Sequence, residues 1–390
     1  MSAQERLIRE GMRRYLSRFY DPTYIDALEE ALRRPSSRYF FRVNLLKADP
    51  VEVVSRLREE GYEVHMHPAV REAIYARVTG PHSVHLHRGR VVVDWNTAES
   101  VYVGANVYAP GVQRVIGAEK GDFVTVVTPS GQPVASGVLE MSPDEIFRER
   151  RGIAVRVLNS VFKAPSLREH PLHKEGLVYH QSLPSMVAVK LLNPEPGWRV
   201  LDMCASPGGK ATHAAILMED KGEVIAVDRS ASKVRVIDEN AARMGLKSVK
   251  TIQYDSRYIT DVLDTGSVDA VILDPPCTTL GVRPKLRYTR DSTDVHRLAE
   301  YQRQFITEAA KVLRKGGLLL FTTCTLTPHE NEMNVLFSMK LGFRPLRINP
   351  PLLLRKPLLG IEGTVFDPVY NDTPGFFISL MRLEERQQYY

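Results

Sequence analysis

Five apolar runs alternate with helical segments between residues 198 and 323, and this alternation constrains the fold most. The runs are WRVLDM, EVIAVD, VKTIQYD, VDAVILD and GLLLFTT, which are typical of strands buried on both faces. Helical segments separate them, and LAEYQRQFITEAAKVLRKGG is predicted to be a helix that stops at its glycine pair. This order predicts an α/β fold with a doubly wound, Rossmann-like parallel sheet. We expect the tail FISLMRL to add an antiparallel edge strand.

The chain before this sheet divides into two parts with different residue patterns. Leu7, Met12 and Leu16 recur at helical spacing, and a small α/β segment follows in which Asp49 and Pro50 begin a helix. From about residue 90 the chain consists of short β runs with a hairpin signal at PSGQ, which predicts a small barrel. We therefore predict three domains, at 1–89, 90–165 and 166–390.

Composition excludes some classes of protein and leaves others open. No run approaches the roughly 18 consecutive apolar residues of a membrane span. The chain has only three cysteines, whereas a disulfide scaffold has a larger and even number. These features predict a cytoplasmic protein without membrane association. The net charge of +6 is compatible with a nucleic-acid partner but is also common in proteins that never bind one. The closely spaced histidine pairs 65/67 and 85/87 have no accompanying cysteine or carboxylate cluster, so no metal is predicted.

The first strand of the sheet runs into the loop CASPGGK, which matches neither a Walker loop nor a dinucleotide fingerprint. Asp228 and Asp255 close the next two strands. Carboxylates in these places suit the ribose hydroxyls and the adenine amino group of a nucleoside without phosphates. S-adenosylmethionine is such a molecule, and its amino acid end would meet the glycine loop and Lys210. The alternative is that the two aspartates only cap the helices that follow them.

Two thiols follow the fourth and fifth strands, Cys277 in DPPC and Cys324 in TTCT. If these strands are neighbours, both thiols meet at one edge of the sheet. Carbon 5 of cytosine becomes nucleophilic only after a thiolate adds at carbon 6, so the pair indicates covalent catalysis. Lys210, Arg283 and Lys285 are candidates for the positive field that such a thiolate needs. The residues alone do not rank the two thiols. Cys204 is predicted to be mainly a packing residue.

Longer motifs carry a specific resemblance. DMCASPGGK, DPPCTTLGVRPK, TTCTLTPHENE and DTPGFFISL resemble the motifs of the NOL/NOP/SUN family of RNA cytosine-5 methyltransferases. The segment around GANVYAPGVQRV resembles a PUA domain, and FRVNLLKADPVEVVSRLREEGYEVHMHP resembles the small N-terminal domain of the family. Residues 1–89 are therefore predicted to form a helical and small RRM-like α/β domain. With a PUA domain inserted at this position, the domain order resembles that of one branch of the family. Members of that branch methylate a tRNA cytosine in the acceptor stem near the CCA end. An rRNA substrate, or a non-catalytic RNA-binding assembly factor, remains an alternative.

The resemblance implies a role for each motif residue. Cys324 would be the nucleophile, Cys277 would assist product release, and Asp274 would hold the N3 edge of the base. The implied S-adenosylmethionine site consists of Cys204, Ala205, Ser206, Pro207, Gly208, Gly209, Lys210, Asp228, Lys233, Asp255 and Asp274.

RNA contacts and the assembly state complete the predictions. We expect RNA contacts from Tyr108, Asn106, Arg114, Arg283 and Lys285, because a loop tyrosine can stack on an unpaired base and basic groups can meet phosphates. The protein is expected to act as a monomer on tRNA.

Overall fold

A computed structural model describes residues 6–384, which form three sheets of four, six and eight strands. Their order along the chain follows the predicted small α/β part, β part and large α/β part. Within the described residues, no helix is both long enough and apolar enough to cross a membrane.

The N-terminal part contains a helix whose start was predicted from sequence. Its elements are α1 (Glu10–Leu16), α2 (Pro22–Arg33), β1 (Arg38–Val43), α3 (Pro50–Glu59), β2 (Val64–Met66) and β3 (Ala73–Arg77). Asp49 caps α3, since its carboxylate accepts a hydrogen bond of 2.8 Å from the amide of Val51, and Pro50 occupies the first turn. Gly61 follows the helix with φ +88°, a conformation that favours glycine.

The middle part is the predicted small β domain. Its elements are β4 (Gly89–Val93), α4 (Trp95–Val101), β5 (Val107–Tyr108), a 3₁₀ turn (Ala109–Gly111), β6 (Val112–Ile116), β7 (Phe123–Val127), β8 (Pro133–Leu139), α5 (Pro143–Glu149) and β9 (Ile153–Ser160). The six strands pair in the order β5-β9-β8-β7-β4-β6 around a core of valines and alanines. The PSGQ turn joins β7 to β8 as predicted, and the amide of Thr128 donates to the carbonyl of Gln132.

The large α/β part holds the predicted doubly wound sheet. Its elements are α6 (Pro171–Lys174), β10 (Val178–His180), α7 (Leu183–Leu192), β11 (Arg199–Asp202), α8 (Gly209–Leu217), β12 (Glu223–Asp228), α9 (Ala231–Met244), β13 (Val249–Gln253), a 3₁₀ segment (Ser256–Asp261), β14 (Val268–Leu273), α10 (Ser292–Val312), β15 (Leu313–Thr323), α11 (Glu332–Lys340), β16 (Phe343–Pro345), a 3₁₀ turn (Leu358–Gly360), β17 (Thr364–Phe366), α12 (Pro368–Asn371) and β18 (Phe376–Leu383).

Strand order in this sheet is β13-β12-β11-β14-β15-β18-β16, and β11 to β15 are all parallel. The chain enters at β11, winds outward to β13, and then returns to β14 on the other side of β11. A sheet of this kind binds its ligands beyond the carboxyl ends of its strands, where the winding direction changes. The predicted fold class is confirmed. β14 and β15 are neighbours, which is the condition for Cys277 and Cys324 to meet at one edge of the sheet.

The predicted end of the long helix is wrong. α10 stops at Val312, and Leu313 already has extended backbone and pairs with Val268 of β14. Gly316 and Gly317 lie inside β15, at a register shift against β14. A side chain on Gly317 would approach the carbonyl oxygens of Arg314 and Asp269 to about 3 Å. The glycine pair therefore allows a tight bulge in a strand, and burial of Leu313 ends the helix earlier.

The predicted edge position of the last strand is also wrong, although its antiparallel direction is confirmed. β18 lies between β15 and β16 and pairs with both. Residues 376–381 are all buried, as expected for a strand covered on both sides. The edge is β16, a three-residue strand that ends at Pro345, and proline is tolerated at an edge because it lacks the ladder donor.

Packing crosses the predicted domain boundaries in two places. Leu16 of α1 and Leu28 of α2 share a hydrophobic core with Leu201 and Phe321 of the large sheet. In the other direction, β10 pairs with β1 and so completes the small N-terminal sheet. The division at 1–89, 90–165 and 166–390 stays a prediction, but the first and third parts are joined by a common core.

Candidate active site

A cavity of about 400 Å³ opens at the carboxyl ends of β11 to β15. This volume is within the range of roughly 300–1,000 Å³ that is usual for small-molecule sites. The structure brings eight predicted site residues together in its wall: Cys204, Ser206, Asp228, Lys233, Asp255, Asp274, Cys277 and Cys324. The other five, Ala205, Pro207, Gly208, Gly209 and Lys210, belong to the adjoining loop and the start of α8. Residues from five strand ends therefore meet in one cleft.

The two thiols are in direct contact. The Sγ atoms of Cys277 and Cys324 lie 3.3 Å apart, and neither cysteine is in a disulfide. Cys324 directly follows β15, and Cys277 follows β14 after the Asp274-Pro-Pro turn. The amide of Gly281 donates to the carbonyl oxygen of Cys324 at 2.9 Å and so fixes one loop against the other. One small substrate can therefore be reached by both sulfurs.

The surroundings of Cys277 disfavour its thiolate form. The hydrogen bond with Cys324 raises the pKa of the Cys277 thiol well above its usual value, and burial and the nearby Glu330 and Asp274 carboxylates raise it further. Either sulfur can donate the S–H···S hydrogen bond, and the raised pKa of Cys277 favours its protonated form.

Lys210 provides the positive charge beside Cys324. Its ammonium forms an ion pair with Asp274 and lies 5.6 Å from the ring centre of Phe376. Burial lowers the pKa of Lys210, but the charge and hydrogen bond of Asp274, with Asp202 and Cys324, raise it more, so the net pKa is raised. Of the three predicted cations, Lys210 is therefore the one that interacts electrostatically with Cys324, whereas Arg283 and Lys285 pair with Asp372 and Glu99.

The glycine loop has the shape that close approach to a ligand needs. Gly208 has φ +100°, which favours glycine, and a side chain on Gly209 would meet the ring of Tyr179 at 3.3 Å. The amide of Gly208 bonds back to Ala205, and the carbonyl oxygen of Pro207 accepts from the side chain of Asn240. The loop is therefore fixed before a ligand arrives.

The two strand-end aspartates have partners of their own. Asp228 accepts from the amide of Ser230, and its carboxylate lies 3.6 Å from the ammonium of Lys233. Asp255 accepts from both the backbone and the guanidinium of Arg257. Both aspartates therefore also stabilise the segments that follow them, as the alternative interpretation expected. Their carboxylates still line the cavity, and their contact with the cofactor stays a prediction.

Aromatic side chains form the part of the cavity that the sequence argument missed. Tyr254, Tyr301 and Phe305 line it near Asp255. Flat apolar walls, strand-end carboxylates and a glycine loop together fit a nucleoside that carries an amino acid tail, as in S-adenosylmethionine. Cys204 lines the same cavity, but burial raises the pKa of its thiol well above the usual value. It suits packing rather than nucleophilic chemistry.

A buried arginine supports the glycine loop through hydrogen bonds. Arg42 of β1 is 1% exposed and donates to the carbonyl of Gly209, the side-chain oxygen of Gln181 and the hydroxyl of Thr212. Its guanidinium lies 5.3 Å from the ring centre of Tyr179. The small N-terminal sheet thus helps to hold the cofactor loop in position.

Arg42→Lys is expected to weaken S-adenosylmethionine binding about tenfold, because an ammonium cannot reproduce the planar fork that bonds three acceptors at once. Calorimetric titration with the cofactor measures the change. Arg199→Lys is the matched control, since Arg199 pairs with Glu223 at the opposite end of β11. Equal affinity in the Arg42 variant and the wild type would show that the loop does not depend on this support.

A second buried network holds the two cysteine segments in place. Glu330 is fully buried and its carboxylate accepts from the amide and hydroxyl of Thr278, the hydroxyl of Thr327 and the side chain of Gln302. Thr278 directly follows Cys277, and Thr327 lies in the loop after Cys324. The HENE run that contains Glu330 contributed to the family resemblance but carried no predicted role.

The predicted RNA-contact residues have different surroundings. Tyr108 is 41% exposed and Arg114 is exposed on β6, whereas the side chain of Asn106 accepts from the amide of Val157. Arg283 donates to the carbonyls of Arg34 and Pro35 and pairs with Asp372, and Lys285 pairs with Glu99. Arg283 and Lys285 thus join parts of the fold, and their predicted RNA contacts do not fit this placement.

The histidine pairs take part in ring contacts. His65 stacks on Tyr75 and His87 stacks on Phe123, with ring centres 5.3 and 5.6 Å apart. Within residues 6–384 no group of three or more histidine, cysteine or acidic side chains is arranged to hold a metal ion.

Comparison with known proteins identifies the family. The model for 16S rRNA methyltransferase RsmB/F matches residues 189–342, and the PUA domain model matches residues 89–161. The tRNA (cytosine(72)-C(5))-methyltransferase of Pyrococcus horikoshii is 38% identical over 376 residues, which cover 95% of this chain and 96% of that one. The chain belongs to the NOL/NOP/SUN family of RNA cytosine-5 methyltransferases. The predicted PUA domain is confirmed with it.

Two further relatives extend this similarity. Mouse tRNA (cytosine(72)-C(5))-methyltransferase NSUN6 is 33% identical over 344 residues, which cover 80% of this chain and 71% of that one. A crystal structure of NSun6 from Pyrococcus horikoshii, bound to an analogue of S-adenosylmethionine, has a TM-score of 0.88 and 37% identity, and covers 97% of this chain and 99% of that one. NOL/NOP/SUN enzymes of this kind use S-adenosylmethionine, so the predicted cofactor is confirmed.

Proposed function

We propose that this protein transfers a methyl group from S-adenosylmethionine to carbon 5 of a cytosine in tRNA, at position 72 of the acceptor stem next to the CCA end. We also propose that it acts as a monomer in the cytoplasm without a metal. The observation that carries the chemistry is the 3.3 Å contact between the thiols of Cys277 and Cys324 beside the cofactor cavity. The tRNA substrate and the position come from the names of the relatives that match along nearly the whole chain.

In this proposal Cys324 opens the reaction. Its thiolate, close to the charged Lys210, adds to carbon 6 of the cytosine and forms a sulfur–carbon bond, and carbon 5 gains electron density. When bound, S-adenosylmethionine supplies an electrophilic methyl group on its sulfonium. Lys210 forms an ion pair with Asp274, and the carboxylate of Asp274 is proposed to hold the polar edge of the base.

The contact between the sulfurs makes the two thiols act in turn. The hydrogen bond with Cys324 is the largest cause of the raised pKa of Cys277. Once Cys324 is bonded to carbon, its sulfur carries no charge and accepts this bond poorly, which removes the largest cause of the raised pKa of Cys277 and makes its thiol easier to ionise. The Cys277 thiolate then removes the proton from carbon 5, the double bond between carbons 5 and 6 re-forms, and Cys324 leaves as a thiolate.

The PUA domain is the proposed holder of the CCA end. Exposed Tyr108 and Arg114 offer an aromatic ring and a cation on this domain for stacking on a base and for a phosphate contact. Lys285 of the catalytic domain pairs with Glu99 of α4, which fixes the PUA domain against the segment that follows Cys277.

Methyl transfer from radiolabelled S-adenosylmethionine to purified tRNA and to purified rRNA tests the proposal, with the labelled base mapped by mass spectrometry. We expect label in tRNA, on carbon 5 of cytosine 72. Label only in rRNA would favour the alternative indicated by the RsmB/F family model. Cofactor binding without transfer to either RNA would favour a non-catalytic assembly factor.

A further inference from the structure

The two thiols of the candidate site form a close pair before any substrate is bound. The Sγ atoms of Cys277 and Cys324 lie 3.3 Å apart, and both cysteines line the open cavity. A disulfide bond is about 2.05 Å long, so an approach of roughly 1.3 Å would join the two sulfurs. The proposed methyl transfer uses the thiols one after the other and never joins them. Their contact therefore allows a reaction outside the proposed catalytic cycle.

Buried hydrogen bonds keep the two cysteine segments side by side. Thr278 and Thr325 directly follow the two cysteines, and their hydroxyl oxygens lie 2.8 Å apart. The carboxylate of Glu330 accepts from the amide of Thr278 at 2.9 Å and from the hydroxyl of Thr327 at 2.6 Å, and so bonds both segments at once. Separation of the thiols would break these bonds. Each sulfur therefore meets the other at a high effective concentration.

The cavity gives a small oxidant access to the sulfurs. Its volume is about 400 Å³, many times the roughly 30 Å³ that one water occupies in the liquid. A molecule as small as hydrogen peroxide can therefore enter beside the thiols.

The three thiols of this cavity differ in their readiness to react. Lys210 interacts electrostatically with Cys324, and a nearby cation stabilises the thiolate, which is the form that oxidants attack. The pKa of Cys277 is raised by its contact with Cys324, so this thiol is held protonated until its neighbour changes. Burial raises the pKa of the Cys204 thiol well above its usual value, which makes it unreactive. Oxidation is therefore expected to begin at Cys324.

We propose that Cys277 and Cys324 form a site of reversible oxidation, which closes to a disulfide with a hydroperoxide as the oxidant and so stops methyl transfer. In the first step the Cys324 thiolate attacks a peroxide oxygen, a sulfur–oxygen bond forms, the oxygen–oxygen bond breaks and hydroxide leaves. The sulfur of Cys277 then attacks the sulfur of Cys324. The disulfide forms, the sulfur–oxygen bond breaks, and the proton of Cys277 leaves with the hydroxyl group as water. Two thiols are oxidised and one peroxide is reduced to two waters.

The disulfide would remove both groups that the proposed mechanism needs, the nucleophile and the base for carbon 5. The strand-end carboxylates and aromatic walls of the cavity are not part of this reaction, so S-adenosylmethionine should still bind. A dithiol would restore both thiols by exchange. The neighbouring thiol also protects Cys324, because a sulfenic acid that finds no second thiol is oxidised further and irreversibly. The pair therefore allows methylation to stop under oxidation and to resume after reduction.

Treatment of the whole chain with hydrogen peroxide tests this site. We expect methyl transfer to fall by about tenfold or more and to return after incubation with dithiothreitol, with the calorimetric affinity for S-adenosylmethionine unchanged. The chain has three cysteines. Alkylation in denaturant should therefore label all three before treatment and only Cys204 afterwards, and mass spectrometry of a digest should find the peptides of Cys277 and Cys324 joined.

Two variants serve as controls. Cys204→Ala should form the same disulfide and leave no thiol to alkylate. Cys277→Ser removes the second thiol, so Cys324 should accumulate sulfinic acid, which dithiothreitol does not reverse.

Several results would overturn the proposed oxidation site. They are sulfinic acid on Cys324 of the wild type, a disulfide to Cys204 or to a second chain, three alkylatable thiols after treatment, or full methyl transfer with the disulfide intact. The disulfide is measured without RNA. A protein that forms it but methylates no RNA when reduced would therefore overturn the proposed function and leave the oxidation site standing.

Discussion

Cys277→Ala is expected to accumulate a covalent protein–RNA complex, whereas Cys324→Ala is expected to form none. Without Cys324 no sulfur adds to carbon 6, and turnover should fall by about 10³-fold or more. Without Cys277 the attack by Cys324 still occurs, but the proton on carbon 5 has no base beside it. The bond between Cys324 and the RNA then persists because elimination is blocked.

Denaturing gels of each variant with tRNA and S-adenosylmethionine measure this difference directly. Cys204→Ala is the matched control, since Cys204 lines the same cavity and burial raises the pKa of its thiol. It should form no stable complex and should retain most of its turnover. A complex that accumulates with Cys324→Ala rather than Cys277→Ala would reverse the two roles.

The convergence of the thiols could be predicted from sequence because it follows from backbone topology. Apolar runs define buried parallel strands, parallel strands end at one edge, and Cys277 and Cys324 each follow such an end. The same rule placed Asp228 and Asp255 in the cavity. It does not say which thiol donates to the other, because that depends on the side chains within a few ångströms.

Side-chain partners far apart in sequence could not be predicted in this way. Arg42 supports Gly209 across 167 positions, and Glu330 bonds Thr278 across 52. Neither pairing has a local signature, since a buried arginine in a strand and a glutamate after a loop look like surface residues in the sequence. The predicted end of α10 was wrong for a related reason, because the pairing of Leu313 with β14 outweighs the local signal of a glycine pair.

Glu330→Gln is expected to lower kcat about 10- to 100-fold while leaving the affinity for S-adenosylmethionine unchanged. Glu330 accepts four hydrogen bonds, and such bonds to a charged group contribute about 1.5–3 kcal/mol each. The amide of glutamine has one acceptor oxygen and presents two hydrogens to donors, so part of the network is lost. The Thr278 loop then shifts, and Cys277 moves away from Cys324. Steady-state kinetics and calorimetry separate the two effects.

Glu332→Gln is the matched control for this positioning role. Glu332 is also buried, but its carboxylate accepts from the amide of Leu358, away from the thiols. Alkylation of Cys277 in a Cys324→Ala background gives a second readout, because the charge of Glu330 contributes to the raised pKa of Cys277. Its neutralisation should move the alkylation profile to lower pH, and Glu332→Gln should not. If the two glutamates are purely structural, both variants will lose stability alike and leave this profile unchanged.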